Sequence, residues 1–177
     1  MDIEDILPSR DIAFELLKKK KVPYHVRKHS IKVAEKALEI VESIKSVKLN
    51  NDLVEIGSLL HDIGRSKTHG FNHALIGGKI LKEMGYPSEL ARICETHILG
   101  GLDKVDAKSV GLPEKNYLPN TLEEKIICLA DKMMAGTKEV TIEERFNKWF
   151  SKYGRTDILV KAKKRIDAIQ KEIEDLQ

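Results

Sequence analysis

An all-α, single-domain helical bundle is the fold that this sequence predicts, on three observations. Apolar residues recur at three- and four-residue steps along most of the chain, the spacing of one helix face. Capping residues and glycines punctuate those runs, as helix ends require. No alternating apolar and polar stretch of strand length stands between them.

The elements follow in order. Ser9, after Pro8, caps a first helix to about Lys20, where the run "KKKK" and Pro23 end it. From Tyr24 to Ser46, the stripe Val26, Val33, Ala37, Ile40 and Ile44 predicts an amphipathic helix. Asn50 or Asn51 caps a third helix, carrying Leu53, Ile56, Leu60 and Ile63 until Gly64 stops it. A fourth runs from Asn72 to Met84 and ends at Gly85; a fifth opens at Pro87 and Ser88 and runs to Leu99. Gly100 to Asn120 reads as the longest irregular segment, and a loop of that length suggests a functional lid or insertion. "TLEE" from Thr121 and "TIEE" from Thr141 are capping boxes that start two further helices. The last helix, Thr156 to Leu176, carries Ile158, Leu159, Ala162, Ile166, Ile169 and Ile173 on one face. The expected organisation is an N-terminal helix over 1–24, a core over 25–135, and a helical extension over 136–177 that packs on it.

With 177 residues and 41% apolar side chains, the chain can bury one sizeable core and is short for two domains. Its charge of +3 is the balance of 31 basic and 28 acidic residues. That balance weighs against a nucleic-acid coat and leaves a small anionic substrate open. Aromatics make up 5%, and neither "KKKK" nor "KAKKR" at Lys161 to Arg165 interleaves them, so both runs read as solvated helix faces. No apolar run reaches membrane-spanning length, and "MDIEDILPSRD" lacks the basic start of a signal peptide, so a cytoplasmic protein is expected. Cys94 and Cys128 sit among apolar neighbours without a close Cys-x-x-Cys spacing and read as buried thiols. Trp149, with Phe146, Phe150 and Tyr153, reads as a stripe that docks the tail on the core; a contact between copies of the chain is the alternative.

The histidines fall on the apolar faces. His29 lies three residues after Val26 and four before Val33, so it points with the stripe rather than into water. His73 shares a face with Gly77, Ile80, Leu81 and Met84, and His97 follows Leu90, Ile93 and Cys94 in the same way. Asp131 stands between Ile127 and Met134, while His61 and Asp62 close the third helix. Five helices thus aim a histidine or an acid at one interior. Any one of these alone reads as a hydrogen-bonded core residue. Together they imply a shared divalent cation, because buried carboxylates must be paired and a metal supplies the missing charge.

The same residues carry a family resemblance. His29, the adjacent pair His61 and Asp62, and Asp131, within "HSIKVAEKAL", "LLHDIGR", "ETHILGG" and "EKIICLADKM", resemble the signature of the HD superfamily of metal-dependent phosphohydrolases, near its HDIG branch. The resemblance covers about residues 25 to 135. It implies that His29, His61, Asp62 and Asp131 ligate a first metal, with His73 and His97 available for a second ion. Iron or manganese is expected, with nickel, cobalt, magnesium or zinc as alternatives, because histidine and carboxylate ligands do not choose among them. Relatives of this size include hydrolases of a dinucleoside polyphosphate and of a dihydroneopterin cyclic phosphate. The implied activity is phosphodiester or phosphoanhydride cleavage in a small, phosphorylated, nucleotide-like metabolite.

Substrate contacts follow from chemistry. Arg65 and Lys67, just after the doublet, suit phosphate oxygens; for Arg65 the alternative is a surface arginine at a helix end. His69 suits a general acid for the leaving oxygen, or is a solvated loop residue. Lys132 neutralises phosphate or points outward. His25, one turn before His29, has metal-pair spacing but sits at a helix start. Gly100 and Gly101 allow close backbone approach or simply end a helix. Competing readings are a one-metal nucleotide phosphomonoesterase, a metal or nucleotide-binding module without turnover, and a helical nucleic-acid or interaction protein.

Overall fold

The structure, a computed structural model, describes residues 6–177; the first five residues of "MDIEDILPSRD", and with them the start of the expected N-terminal segment 1–24, lie outside the described residues. The described residues form nine α-helices: α1 (Arg10–Lys19), α2 (Tyr24–Ser43), α3 (Asn51–Leu60), α4 (His73–Glu83), α5 (Ser88–Thr96), α6 (Lys104–Ser109), α7 (Leu122–Lys132), α8 (Ile142–Tyr153) and α9 (Asp157–Glu174). The fold is all-α, as expected. No described helix is long and apolar enough to cross a membrane.

Side-chain caps start most of these helices. Ser9, Asn50, Thr121, Thr141 and Thr156 each accept a hydrogen bond from an amide of the first turn. Thr141 and Glu144 complete a reciprocal box. At Thr121 the box is only half made, because the Glu124 carboxylate instead accepts from Asn120 N at 2.7 Å and from the Arg92 guanidinium at 3.2 Å.

The apolar stripes read from the sequence pack as one core. α2 lies against α3 and α7, and α4 against α5. Val33, Ala37, Leu59, Leu60, Ile126 and Ile127 are buried between them. α9 closes the core through Ala162, Ile166, Ile169 and Ile173, with Phe146 of α8 fully buried beside them.

Several boundaries differ from expectation. α3 ends at Leu60 rather than at Gly64, and the chain turns through Ile63–Ser66 as a 3-10 segment. Gly64 is not a helix stop but a close-packing residue: a Cβ there would lie 1.8 Å from the His73 carbonyl oxygen. α5 ends at Thr96, and Leu99 takes a left-handed backbone (φ +52°) in the following turn. Gly136 lies in the tight turn of a small antiparallel hairpin, β1 (Met134–Ala135) and β2 (Lys138–Glu139), too short to leave a periodic signal in sequence.

Residues 100–120 are not an open lid. Leu102 and Tyr117 exchange two backbone hydrogen bonds, at 3.0 and 2.7 Å, and α6 lies between them. Leu102, Ala107, Leu112 and Tyr117 bury a second small core with Ala74 and Ile98. Asp103 and Asp106 bind Lys161 and Arg165 of α9 at 2.5–2.8 Å. "KAKKR" is therefore partly a charge clasp rather than a solvated face.

Candidate metal centre

The end of α3 sets the site. "GSLL" buries the last turn of that helix, which carries His61 (0% exposed) and Asp62 (4%) into the interior. His29 from α2, His73 opening α4, His97 closing α5 and Asp131 from the last turn of α7 meet them there. All six expected ligands converge. His29 and Asp131 approach at 2.8 Å, Asp62 and His73 at 3.1 Å, Asp62 and His97 at 3.3 Å, and His61 and Asp131 at 3.4 Å. Three overlapping groups have all their ligand atoms within 4.8 Å of one another: His29–His61–Asp62, His61–His97–Asp131 and Asp62–His73–His97.

The imidazoles are fixed by the main chain. His61, His73 and His97 each place Nδ1 on the carbonyl three residues earlier, Ser58, Gly70 and Cys94, at 2.6–2.8 Å. His29 Nδ1 meets Gly136 O at 2.8 Å, reaching across to the hairpin turn. A carbonyl only accepts, so Nδ1 carries the proton in each ring, and a neutral ring then presents a bare lone pair at Nε2. Those Nε2 atoms face the carboxylates and one another; His73 and His97 Nε2 stand 3.1 Å apart. His61 Nε2 and Asp62 Oδ1 are buried without a hydrogen-bond partner. Lone pairs crowded on carboxylate oxygens repel unless a cation lies among them, and the donor set fits a divalent metal.

Protons on the imidazoles can take the place of a cation beside these carboxylates. Burial alone would raise the Asp62 carboxyl, yet the imidazoles of His61, His73 and His97 hold it well below the usual range. At Asp131 burial is likewise outweighed, by the Lys132 ammonium and by His29 and His61. Both acids are therefore ionised. Burial would also lower His61, but the two carboxylates push it up; at His97 burial wins over Asp62 and takes the ring down to about 4.

Above this cluster opens a cleft of about 930 Å³. Arg65 lines it and places Nε 2.9 Å from Asp62 Oδ2, so it orients the doublet carboxylate as well as facing the cleft. Lys132 is buried, not outward-pointing; its Nζ binds Asp131 Oδ2 at 2.5 Å and His97 O at 2.6 Å. His69 and His25 are both exposed in the cleft, their rings stacked 6.4 Å apart, and His25 stands outside the converging ligands. The structure does not bring Lys67 to the cleft: it is exposed and is not among the lining residues. Gly100 packs on Ile166, and Gly101 packs on Tyr117 and Pro119, so these glycines serve close packing rather than a substrate. Cys94 and Cys128 are buried thiols, on the carbonyls of Leu60 and His97.

The sequence reading missed Arg145, whose guanidinium donates to the carbonyls of Lys132, Asp131 and Met134 at the end of α7. It also missed that Trp149 and Tyr153 reach the cleft, although Phe146 docks the tail as expected.

A helical core gathering His29, the doublet and Asp131 defines an HD domain. The HD domain family model matches residues 26–136, and the chain belongs to that family. Among its relatives, an uncharacterized protein of Methanocaldococcus jannaschii is 42% identical over 86% of this chain and 89% of its own length. Two tRNA (cytidine(56)-2′-O)-methyltransferases, from Thermoplasma volcanium and Picrophilus torridus, are 35% and 32% identical over 78% and 82% of this chain. The chain spans only 40% and 42% of those two proteins. In fold it is similar to the HD domain of the L. monocytogenes phosphodiesterase PgpH in complex with cyclic-di-AMP, with a TM-score of 0.54 at 20% identity over 97% of this chain and all of that one.

Proposed function

We propose that this chain is a metal-dependent phosphohydrolase that cleaves a phosphodiester or phosphoanhydride bond in a small, nucleotide-like metabolite. The observation that carries the reading is the set of four imidazoles, each tethered at Nδ1 to a carbonyl, whose Nε2 atoms converge on two ionised carboxylates, buried Asp62 and half-buried Asp131. The family assignment supports it, as does the fold shared with a protein named as a phosphodiesterase.

In this reading His29, His61, Asp62 and Asp131 hold one divalent cation, and His73 and His97 hold a second, with Asp62 common to both. Such cations, iron or manganese by preference, supply Lewis acidity that lowers the pKa of water and offsets charge on phosphoryl oxygens. Arg65 keeps the Asp62 carboxylate in place and offers its remaining guanidinium N–H groups to phosphate. Lys132 holds Asp131 ionised in an interior that would otherwise favour its neutral form. His69, solvent-facing in the cleft, gives a proton to the leaving oxygen in this reading. Residues 25–135 form the catalytic core, and 136–177 an extension that walls the cleft.

The test is elemental analysis after manganese or ferrous reconstitution, followed by a screen of cyclic dinucleotides, dinucleoside polyphosphates, cyclic monophosphates, RNA ends and mononucleotides. About two ions per chain, with turnover lost in Asp62→Ala, is the expected result. One ion with activity on mononucleotides alone would favour a phosphomonoesterase, and folded protein that takes up no metal would refute the enzyme reading.

A further inference from the structure

The cleft lining combines cations with aromatic side chains. At the metal end stand the cations Arg65, Lys132 and Arg145. Beside aliphatic side chains such as Leu99 and Leu159, and Lys28 over the Tyr24 ring at 5.5 Å, the lining carries Tyr24, Phe71, Trp149 and Tyr153, four of the nine aromatic residues in the whole chain. Three of them are also exposed, at 67%, 38% and 58% for Tyr24, Phe71 and Tyr153. Among the described residues these are the only aromatics counted with the exposed large apolar side chains. The other exposed apolar residues, such as Ile12, Val47 and Val105, do not line the cleft. Aromatics left uncovered in a concave, cation-lined site mark a ligand surface rather than scattered exposure.

The aromatic wall is also held in register with the metal end. Arg145 places its guanidinium carbon 5.2 Å from the Trp149 ring centroid, while its N–H groups bind the carbonyls at the end of α7, the helix that carries Asp131. Phe146, buried in the core, supports Trp149 edge-on at 5.0 Å. Trp149 and Tyr153 belong to α8, beyond the segment matched by the family model.

We propose that Trp149 and Tyr153, with Tyr24 and Phe71, form a stacking subsite for the flat, fused heterocycle of the substrate, a purine-type base whose phosphate lies at the metal end. This rests on the phosphohydrolase reading for the position of the phosphate alone. A base has a π-face that stacks on such side chains, whereas a sugar phosphate has none. The volume, near the upper end of ordinary ligand sites, accommodates a base together with its sugar and phosphate.

Trp149 is the chain's only tryptophan, so its fluorescence reports on the subsite without turnover. Full-length, metal-free and manganese-loaded protein is titrated with adenosine 5′-monophosphate and with ribose 5-phosphate. The expected result is saturable quenching by the nucleotide, no quenching by the sugar phosphate, and at least about tenfold tighter binding of the nucleotide. Tyr153→Ala, an exposed position, is expected to weaken the nucleotide about fivefold or more and to leave ribose 5-phosphate unchanged by calorimetry. Equal affinity for the two ligands, an unmoved Trp149 signal with nucleotide bound, or no nucleotide binding would overturn the subsite. Quenching that survives in protein hydrolysing no phosphoester would instead sink the hydrolase reading alone, and hydrolysis without quenching would sink the subsite alone.

Discussion

Replacing Gly64 by alanine tests whether the turn after the doublet is part of the metal centre. A Cβ at this position would meet the His73 carbonyl oxygen at 1.8 Å and the Gly77 amide nitrogen at 2.7 Å. Both are backbone atoms of α4, so no side chain can swing aside. To reach the 3.4 Å of ordinary contact, the first turn of α4 must retreat by about 1.6 Å. Overpacking of this kind costs about 1–3 kcal/mol, which for 177 residues corresponds to a Tm lower by roughly 3–8 °C. The same retreat separates His73 from Asp62, now 3.1 Å away, and manganese affinity is expected to fall at least about tenfold, the scale of a lost supporting contact. Thermal unfolding and calorimetric manganese titration of Gly64→Ala measure the two effects. A variant with wild-type Tm and wild-type affinity would refute the claim that Gly64 packs the doublet against α4.

Three further outcomes are expected. Manganese at about 100 times its Kd should stabilise the native chain by about 2.7 kcal/mol, near 7 °C in Tm for a domain of this size; Asp62→Ala should keep its helical circular dichroism and lose that shift, and an unchanged shift would remove Asp62 from the ligand set. Burial pushes the Cys94 thiol far up and the Cys128 thiol up to about 11, so at pH 8 both stay protonated and a thiol reagent should label neither until the chain unfolds. Cys94→Ser should retain full metal occupancy, and metal loss there would mean that sulfur belongs to the centre.

Much of the centre was legible because its residues break helix periodicity in a visible way. His29 and Asp131 stand where Val26, Val33, Ile127 and Met134 call for another apolar side chain, and burial of that face carries them inward. The doublet was equally legible, but its glycine was not. In sequence Gly64 looks like a helix stop, because the close approach of α4 that demands it is a tertiary fact. The same reason hid Arg145, whose partners are carbonyls of another helix. Residues 100–120 misled through their glycines and prolines, since a single bridge between Leu102 and Tyr117 and an ion cluster with α9 leave no periodic trace. Lys67 was placed by proximity to the doublet, which a 3-10 turn does not preserve as an orientation.

The long reach of the His29–Asp131 pairing bears on how the molecule acquires and keeps its shape. These side chains stand 102 residues apart in sequence, and the His29 ring is held by a carbonyl 107 residues away. Contacts of such separation close a long loop and are expected to form after local helix pairs such as α2 with α3 and α4 with α5. An ion bound there would clamp the ends of an already assembled core and contribute little at the folding barrier. Its stabilisation therefore falls on the rate of escape from the native state. A loaded chain should assemble no faster than an empty one, yet persist far longer once assembled.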